Sequence, residues 1–117
     1  MKNVVGVLRE DARLLVVFKP AGLLTVPSPG ADGRTLLDAL EAAGTPALPV
    51  HRLDRDVSGA VLLAKDEETR AALEGLMRAR RVRKLYRALA QGVVRPADGS
   101  FEAPIRDDGA FAAIARD

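Results

Sequence analysis

The segment RLLVVFKPAGLL places an unbroken apolar run at residues 14–18 against Lys19, Pro20 and Gly22. A short apolar run closed by turn residues predicts a buried strand entering a loop. TVPSPGADG follows, too rich in proline and glycine to be regular. Order resumes at Thr35. Thr35 and Asp38 have the spacing of a capping box, Leu36, Leu37 and Leu40 form an apolar face, and Gly44 stands where a helix should stop. Pro46 and Pro49 keep the next segment extended.

AVLLAK, residues 60–65, is apolar until its end and predicts a second strand, covered on both faces. Asp66 can cap a second helix, in which Ala72, Leu73, Leu76 and Met77 recur at helical spacing and Glu74 can pair with Arg78. In KLYRALAQG the pattern changes to strict alternation, with Lys84, Tyr86, Ala88 and Ala90 on one side and Leu85, Arg87 and Leu89 on the other. That period predicts a third strand over 85–91. The remaining tail carries turn signals at Asp98-Gly99 and Asp108-Gly109 around short apolar pieces, a hairpin-like pattern. No internal repeat is visible.

The 117 residues suit one domain with a modest core. No apolar run approaches the length of a membrane span, and the apolar stretch before Arg9 is too short for a secretory signal. Without cysteine the chain can form no disulfide, which fits a reducing cytoplasm. The formal net charge of +2 is uninformative, but its distribution is not. Between Glu74 and Asp98 there is no acid, while Arg78, Arg80, Arg81, Arg83, Lys84 and Arg87 crowd into RARRVRKLYR. Cations at a helix C-terminus suit its dipole, so a solvated helix end is one reading. Mutual repulsion favours the other, a contact with a polyanion whose phosphates neutralise the run.

The densest chemistry lies in VHRLDRDVSG, where His51, Arg52, Asp54, Arg55 and Asp56 fall within six residues. In an extended segment Arg52 and Asp54 share one side, and His51 and Leu53 the other. A carboxylate beside a guanidinium stays ionised and can act as a nucleophile. Competing readings are weaker. His51, without a second histidine, is better read as structural, bonding a carbonyl. Asp54 and Asp56 could share a metal ion, as in a metal-dependent ribonuclease, but Arg52 and Arg55 would compete with it. A Ser-His-Asp triad lacks the glycine that should precede Ser58 by two residues. Surface ion pairing alone would contribute little stability.

HRLDRDVSGAVLLAK resembles the signature segment of the RNA pseudouridine synthases of the RluA/RsuA type, close to H-R-L-D-x-x-T-S-G followed by an apolar strand and lysine. VVFKPAGLLTVPS resembles that family's strand and K-P-x-G loop, RKLYRALAQG its K-x-Y-x-A-x-x-x-G strand, and APIRDD its P-I segment, all in the family's order. Together the matches cover roughly residues 12–108. Val57 departs from the pattern by replacing threonine.

The resemblance implies an α+β fold: a mixed, largely antiparallel sheet receiving residues 14–18, 60–64 and 85–91, with helices packed beside it. Asp54 takes the position of the catalytic aspartate, Tyr86 that of the tyrosine that stacks on or deprotonates the base, and Arg52 that of the arginine filling the gap left by a flipped nucleotide. RNA, ribosomal or transfer, is the implied partner, with Arg55, Arg80, Arg81, Arg83 and Lys84 as further RNA contacts. No cofactor, metal or membrane is called for. Family members continue into a G-R-x-H-Q-I-R-like signature that these 117 residues do not include, so the implied unit is the N-terminal portion of a catalytic domain. The alternative is a truncated or remnant RNA-binding module without catalysis.

Overall fold

The computed structural model describes residues 5–31, 33–107 and 112–114. The chain divides into two units, Met1–Lys84 and Leu85–Asp117. The first contains β1 (Gly6–Glu10), β2 (Leu14–Lys19), α1 (Leu36–Ala42), β3 (Leu48–Pro49), β4 (Gly59–Ala64) and α2 (Glu67–Arg78). The second contains β5 (Ile105–Asp107) and β6 (Ala112–Ile114).

The α+β expectation is met by a sheet of order β1-β2-β4-β3 in which each strand pairing is antiparallel. Parallel pairing among the described residues is confined to an isolated bridge between Leu24 and Thr35. β2 and β4 form the centre, in register from Leu14 opposite Ala64 to Lys19 opposite Gly59. Their continuous apolar sequences conceal a period of two. Leu15, Val17, Val61 and Leu63 are fully buried, whereas Phe18 is 43% exposed. The strands are thus fully covered on one face and only partly on the other, correcting the reading of a strand enclosed on both sides. Leu23, Leu36, Leu40 and Leu53 complete the core.

β1 is not marked by a strand pattern in the sequence. It exists because Asp11 closes a tight connection: its Oδ1 accepts the N–H groups of Arg13 and Leu14 at 2.7 and 2.8 Å. Those bonds, Leu14's first, hold the carboxyl below the ordinary aspartate range.

Both helices start where their caps predict. The Thr35 hydroxyl accepts the Asp38 N–H at 3.2 Å, and the Asp38 carboxylate accepts the Thr35 N–H at 2.8 Å, a reciprocal capping box. Asp66 accepts the Thr69 N–H at 2.7 Å. The inner stripe of α2 is displaced from the apolar spacing, since Thr69 is buried and Leu73 and Met77 half-buried, while Ala72 and Leu76 are exposed. Glu74 pairs with Arg70 at 2.6 Å, not with Arg78, and Arg70 also holds Glu67.

The strand expected over 85–91 is not formed: this segment has no regular structure and its side chains are exposed. Alternation describes how a strand would present its sides, but a strand persists only where a neighbour takes its backbone hydrogen bonds. No such pairing occurs among the described residues. In the same unit β5 and β6 pair antiparallel, Ile105 opposite Ile114, on either side of the expected Asp108-Gly109 turn. The turn itself lies outside the described residues.

Candidate active site

Residues 52–58 leave the extended β3 region and turn back into β4. Leu53 is their anchor, buried in the core with Val57 packed against the same cluster. Val57, the departure from the resembling pattern, therefore has an apolar role. Around Leu53 the backbone is fastened by groups from the end of β2 and the β2–α1 connection. The Thr25 hydroxyl donates to the Leu53 carbonyl at 2.7 Å and accepts the Leu53 N–H at 3.0 Å. The Arg55 carbonyl accepts from the Gly22 N–H at 2.7 Å and from Lys19 Nζ at 3.0 Å. Gly22 has φ of 91°, a region that favours glycine.

Among the described residues Lys19 is the largest fully buried side chain. An ammonium has three N–H donors and no acceptor. All three are met, by the carbonyls of Pro20 at 3.0 Å, Leu23 at 2.6 Å and Arg55 at 3.0 Å. Burial lowers its pKa below that of a free lysine, and the charges of Asp56 and Asp54 oppose that shift. The lysine thus ties the K-P-x-G loop to the one that carries Asp54.

Beyond Leu53 the chain turns outward. Asp54, Arg55 and Asp56 are exposed, and the Asp54 carbonyl accepts the Val57 N–H at 3.1 Å to close the turn. At Gly59, φ of 150° again favours glycine, and the chain enters β4. Arg52 and Asp54 do share the exposed side. However, among the described residues no ion pair within 4 Å joins them, because two solvated side chains gain little from being held together.

His51 is structural, but its partner is an amide, not a carbonyl: Nε2 accepts the Leu62 N–H at 3.0 Å. Burial, and then the charge of Lys84, hold its pKa below the ordinary 6.5, which keeps that nitrogen free to accept. Among the described residues no group of three His, Cys, Asp or Glu could hold a metal ion.

The basic run begins where α2 ends. The N–H groups of Arg80 and Arg81 bond the carbonyls of Met77 and Leu76 at 3.0 and 2.9 Å. This is the paired closure of a Schellman cap, and Arg80 occupies its left-handed position at φ of 55°. Arg80, Arg81, Arg83 and Lys84 are all exposed. Tyr86 belongs to the second unit and is 58% exposed. Sequence reasoning assigns no role to Lys19, Gly22 and Thr25, which hold the loop at 52–58. For Lys19 and Gly22 the signal is the K-P-x-G segment itself, with a lysine ending an apolar run; Thr25 lies beyond those four residues.

The family profile described as RNA pseudouridylate synthase matches residues 13–116. The Ribosomal large subunit pseudouridine synthase D of Pseudomonas aeruginosa is 38% identical over 109 residues, covering 88% of this chain and 34% of the relative. An uncharacterized RNA pseudouridine synthase of Chloroflexus aurantiacus is 41% identical over 99 residues, covering 77% and 31%. The chain thus spans about a third of the length of these curated relatives. In structure it is similar to Human RNA Pseudouridylate Synthase Domain Containing 4, with a TM-score of 0.65 at 23% identity, covering 95% of this chain and 48% of the human one.

Proposed function

The chain belongs to the RNA pseudouridylate synthase family, and from that premise we propose that it supplies residues 1–117 as the N-terminal portion of a catalytic domain isomerising uridine to pseudouridine, with Asp54 as the nucleophile. The observation supporting this reading is that Asp54 is an exposed carboxylate whose flanking backbone is fastened on both sides by buried groups. A nucleophile needs that combination of access and fixed direction.

The isomerisation breaks the glycosidic bond between C1′ and N1, turns the uracil, joins C1′ to C5 and releases the C5 proton while N1 regains one. Nothing is oxidised or reduced, and the formula is unchanged. The Asp54 carboxylate attacks the sugar or the ring and holds the intermediate so that the free base is not lost. Tyr86 stacks on the uracil or removes the C5 proton. The uridine must leave its stack, and Arg52 fills the gap it leaves. Arg55, Arg80, Arg81, Arg83 and Lys84 contact RNA phosphates and set affinity without reading sequence.

The substrate we favour is ribosomal RNA in the cytoplasm, because the Pseudomonas and Neisseria relatives are named for the large ribosomal subunit. Transfer RNA is the second candidate. The second reading is an RNA-binding module without turnover, to which the exposed cations Arg80, Arg81, Arg83 and Lys84 alone would suffice. No helix among the described residues is long and apolar enough to cross a membrane.

The test compares Asp54→Asn with Asp56→Asn in the chain joined to the remainder of a synthase catalytic domain, reading tritium release from C5 of labelled uridine in RNA. Asp54→Asn should abolish release, because an amide is a very poor nucleophile. Asp56→Asn should retain activity within about tenfold, or about 1.4 kcal/mol in the barrier. Substantial turnover by Asp54→Asn, or equal loss from both, contradicts the assignment. The 117-residue chain alone should bind RNA with little or no turnover.

A further inference from the structure

Thr25 lies in the connection between β2 and α1, 28 positions before Leu53, and is 2% exposed. A threonine hydroxyl has one proton to donate and lone pairs to accept with. Here the proton goes to the Leu53 carbonyl and a lone pair receives the Leu53 N–H. One buried oxygen therefore serves both backbone groups of a single residue.

The consequence reaches Asp54 through covalent geometry. The Leu53 carbonyl and the Asp54 nitrogen share one peptide plane. Fixing that carbonyl at 2.7 Å from Thr25, while the Leu53 side chain is buried in the core, fixes the plane from which Asp54 departs. On the far side, the Arg55 carbonyl is held by Gly22 and Lys19, and the Asp54 carbonyl by Val57. The exposed aspartate is thus suspended between two fastened peptides. Thr25 alone among these groups acts on the peptide leading into it.

Resting on the reading of Asp54 as the nucleophile, we propose that Thr25 is a positioning residue of the active site: its hydroxyl sets the Leu53–Asp54 peptide plane and so the direction in which the Asp54 carboxylate leaves the core. Productive geometry tolerates errors of only about half an ångström, so a rotation of this plane costs turnover more than binding.

Thr25→Val keeps the branched shape and removes the hydroxyl, whereas Thr25→Ser keeps the hydroxyl. In the 117-residue protein, hydrogen exchange by NMR at the Leu53 amide should accelerate by about tenfold or more in Thr25→Val, with the Val17 and Val61 amides of the central strands unchanged within about twofold. Thr25→Ser should restore protection. In the chain joined to the remainder of a synthase domain, kcat should fall by about 10- to 100-fold in Thr25→Val with KM within about threefold, and serine should rescue it.

Unchanged Leu53 exchange overturns the proposal. So does acceleration shared equally by Val17 and Val61, which would mean a general loss of stability, or a freed Leu53 amide with kcat intact. Asp54→Asn measured alongside separates the two levels: turnover surviving that substitution overturns the underlying reading of the nucleophile, whereas its loss with Thr25→Val fully active overturns the positioning role alone.

Discussion

Two of the charged stretches of this chain, the loop after β3 and the run after α2, are held in opposite ways. The loop at 52–58, with its two arginines and two aspartates, exposes its carboxylates but is fastened from beneath by Lys19, Gly22 and Thr25 and anchored by Leu53. The basic stretch from Arg78 to Arg87 starts at the last residue of α2 and runs into a segment without regular structure, where Leu85 is 89% exposed. Catalysis by a carboxylate demands direction, and buried hydrogen bonds supply it. Attraction to a phosphate backbone acts at range, so exposed cations need little fixing.

The largest effect that could break this contrast is on stability. Lys19→Met removes three donors from three carbonyls in a buried position and should destabilise the first unit by about 3–5 kcal/mol, whereas Leu89→Ala, in the exposed segment, should change stability by less than about 0.5 kcal/mol. Urea unfolding of both variants measures it. Comparable losses would mean that Lys19 is no anchor.

Next is RNA affinity. Arg80, Arg81 and Arg83 replaced together by alanine should weaken binding to every RNA. On single strands, the slope of log K against log salt should shrink by about 0.7 for each phosphate no longer neutralised. Filter binding across a salt series reads this directly. An unchanged slope would make the run a merely solvated face.

A smaller effect depends on pH. The folded pKa of His51 lies below the ordinary 6.5 through burial and then Lys84, so the unfolded chain binds the proton more readily. Stability should therefore be full above about pH 6.5 and decline as pH falls toward the folded value, as protonation removes the acceptor for Leu62. His51→Gln should flatten that part of the profile, measured by thermal unfolding between about pH 5 and 8. A decline that persists unchanged in the variant would assign it to other groups.

The smallest expected change sits at the boundary between α2 and the basic run. Arg80 holds a left-handed conformation that glycine adopts without strain. Arg80→Gly should stabilise by about 0.5–1 kcal/mol while weakening RNA binding, opposite signs from one substitution. A gain in both would remove Arg80 from the proposed RNA contacts.

These contrasts also explain what the sequence could reveal. Thr35 with Asp38, and Asp66 with Thr69, are readable because each cap closes within one helical turn. The apolar runs of β2 and β4 are readable because the core is built from them. β1 is not, since its exposed residues carry no apolar pattern and its bonds come from β2. Lys19 reads as the polar end of a strand, because its acceptors come together from Pro20, Leu23 and Arg55 only after folding. The segment 85–91 errs the other way: it has the alternation of a strand without paired hydrogen bonds. For the candidate site, the signature residues and the K-P-x-G segment are legible by resemblance, whereas the roles of the Thr25 hydroxyl and the Lys19 ammonium beneath the loop are not, since their partners arrive only on folding.

The most direct test separates turnover from binding. Single-turnover pseudouridine formation, read as a pseudouridine-specific chemical stop in reverse transcription, and RNA Kd would both be measured for Asp54→Asn and for the triple alanine variant of Arg80, Arg81 and Arg83, in the chain joined to the remainder of a synthase domain. Asp54→Asn should lose turnover with Kd within about twofold, while the triple variant should lose affinity yet react at close to the unaltered rate once RNA is saturating. Turnover surviving Asp54→Asn, or both losses falling on the same variant, would contradict the division between a fastened carboxylate that reacts and an exposed basic run that binds.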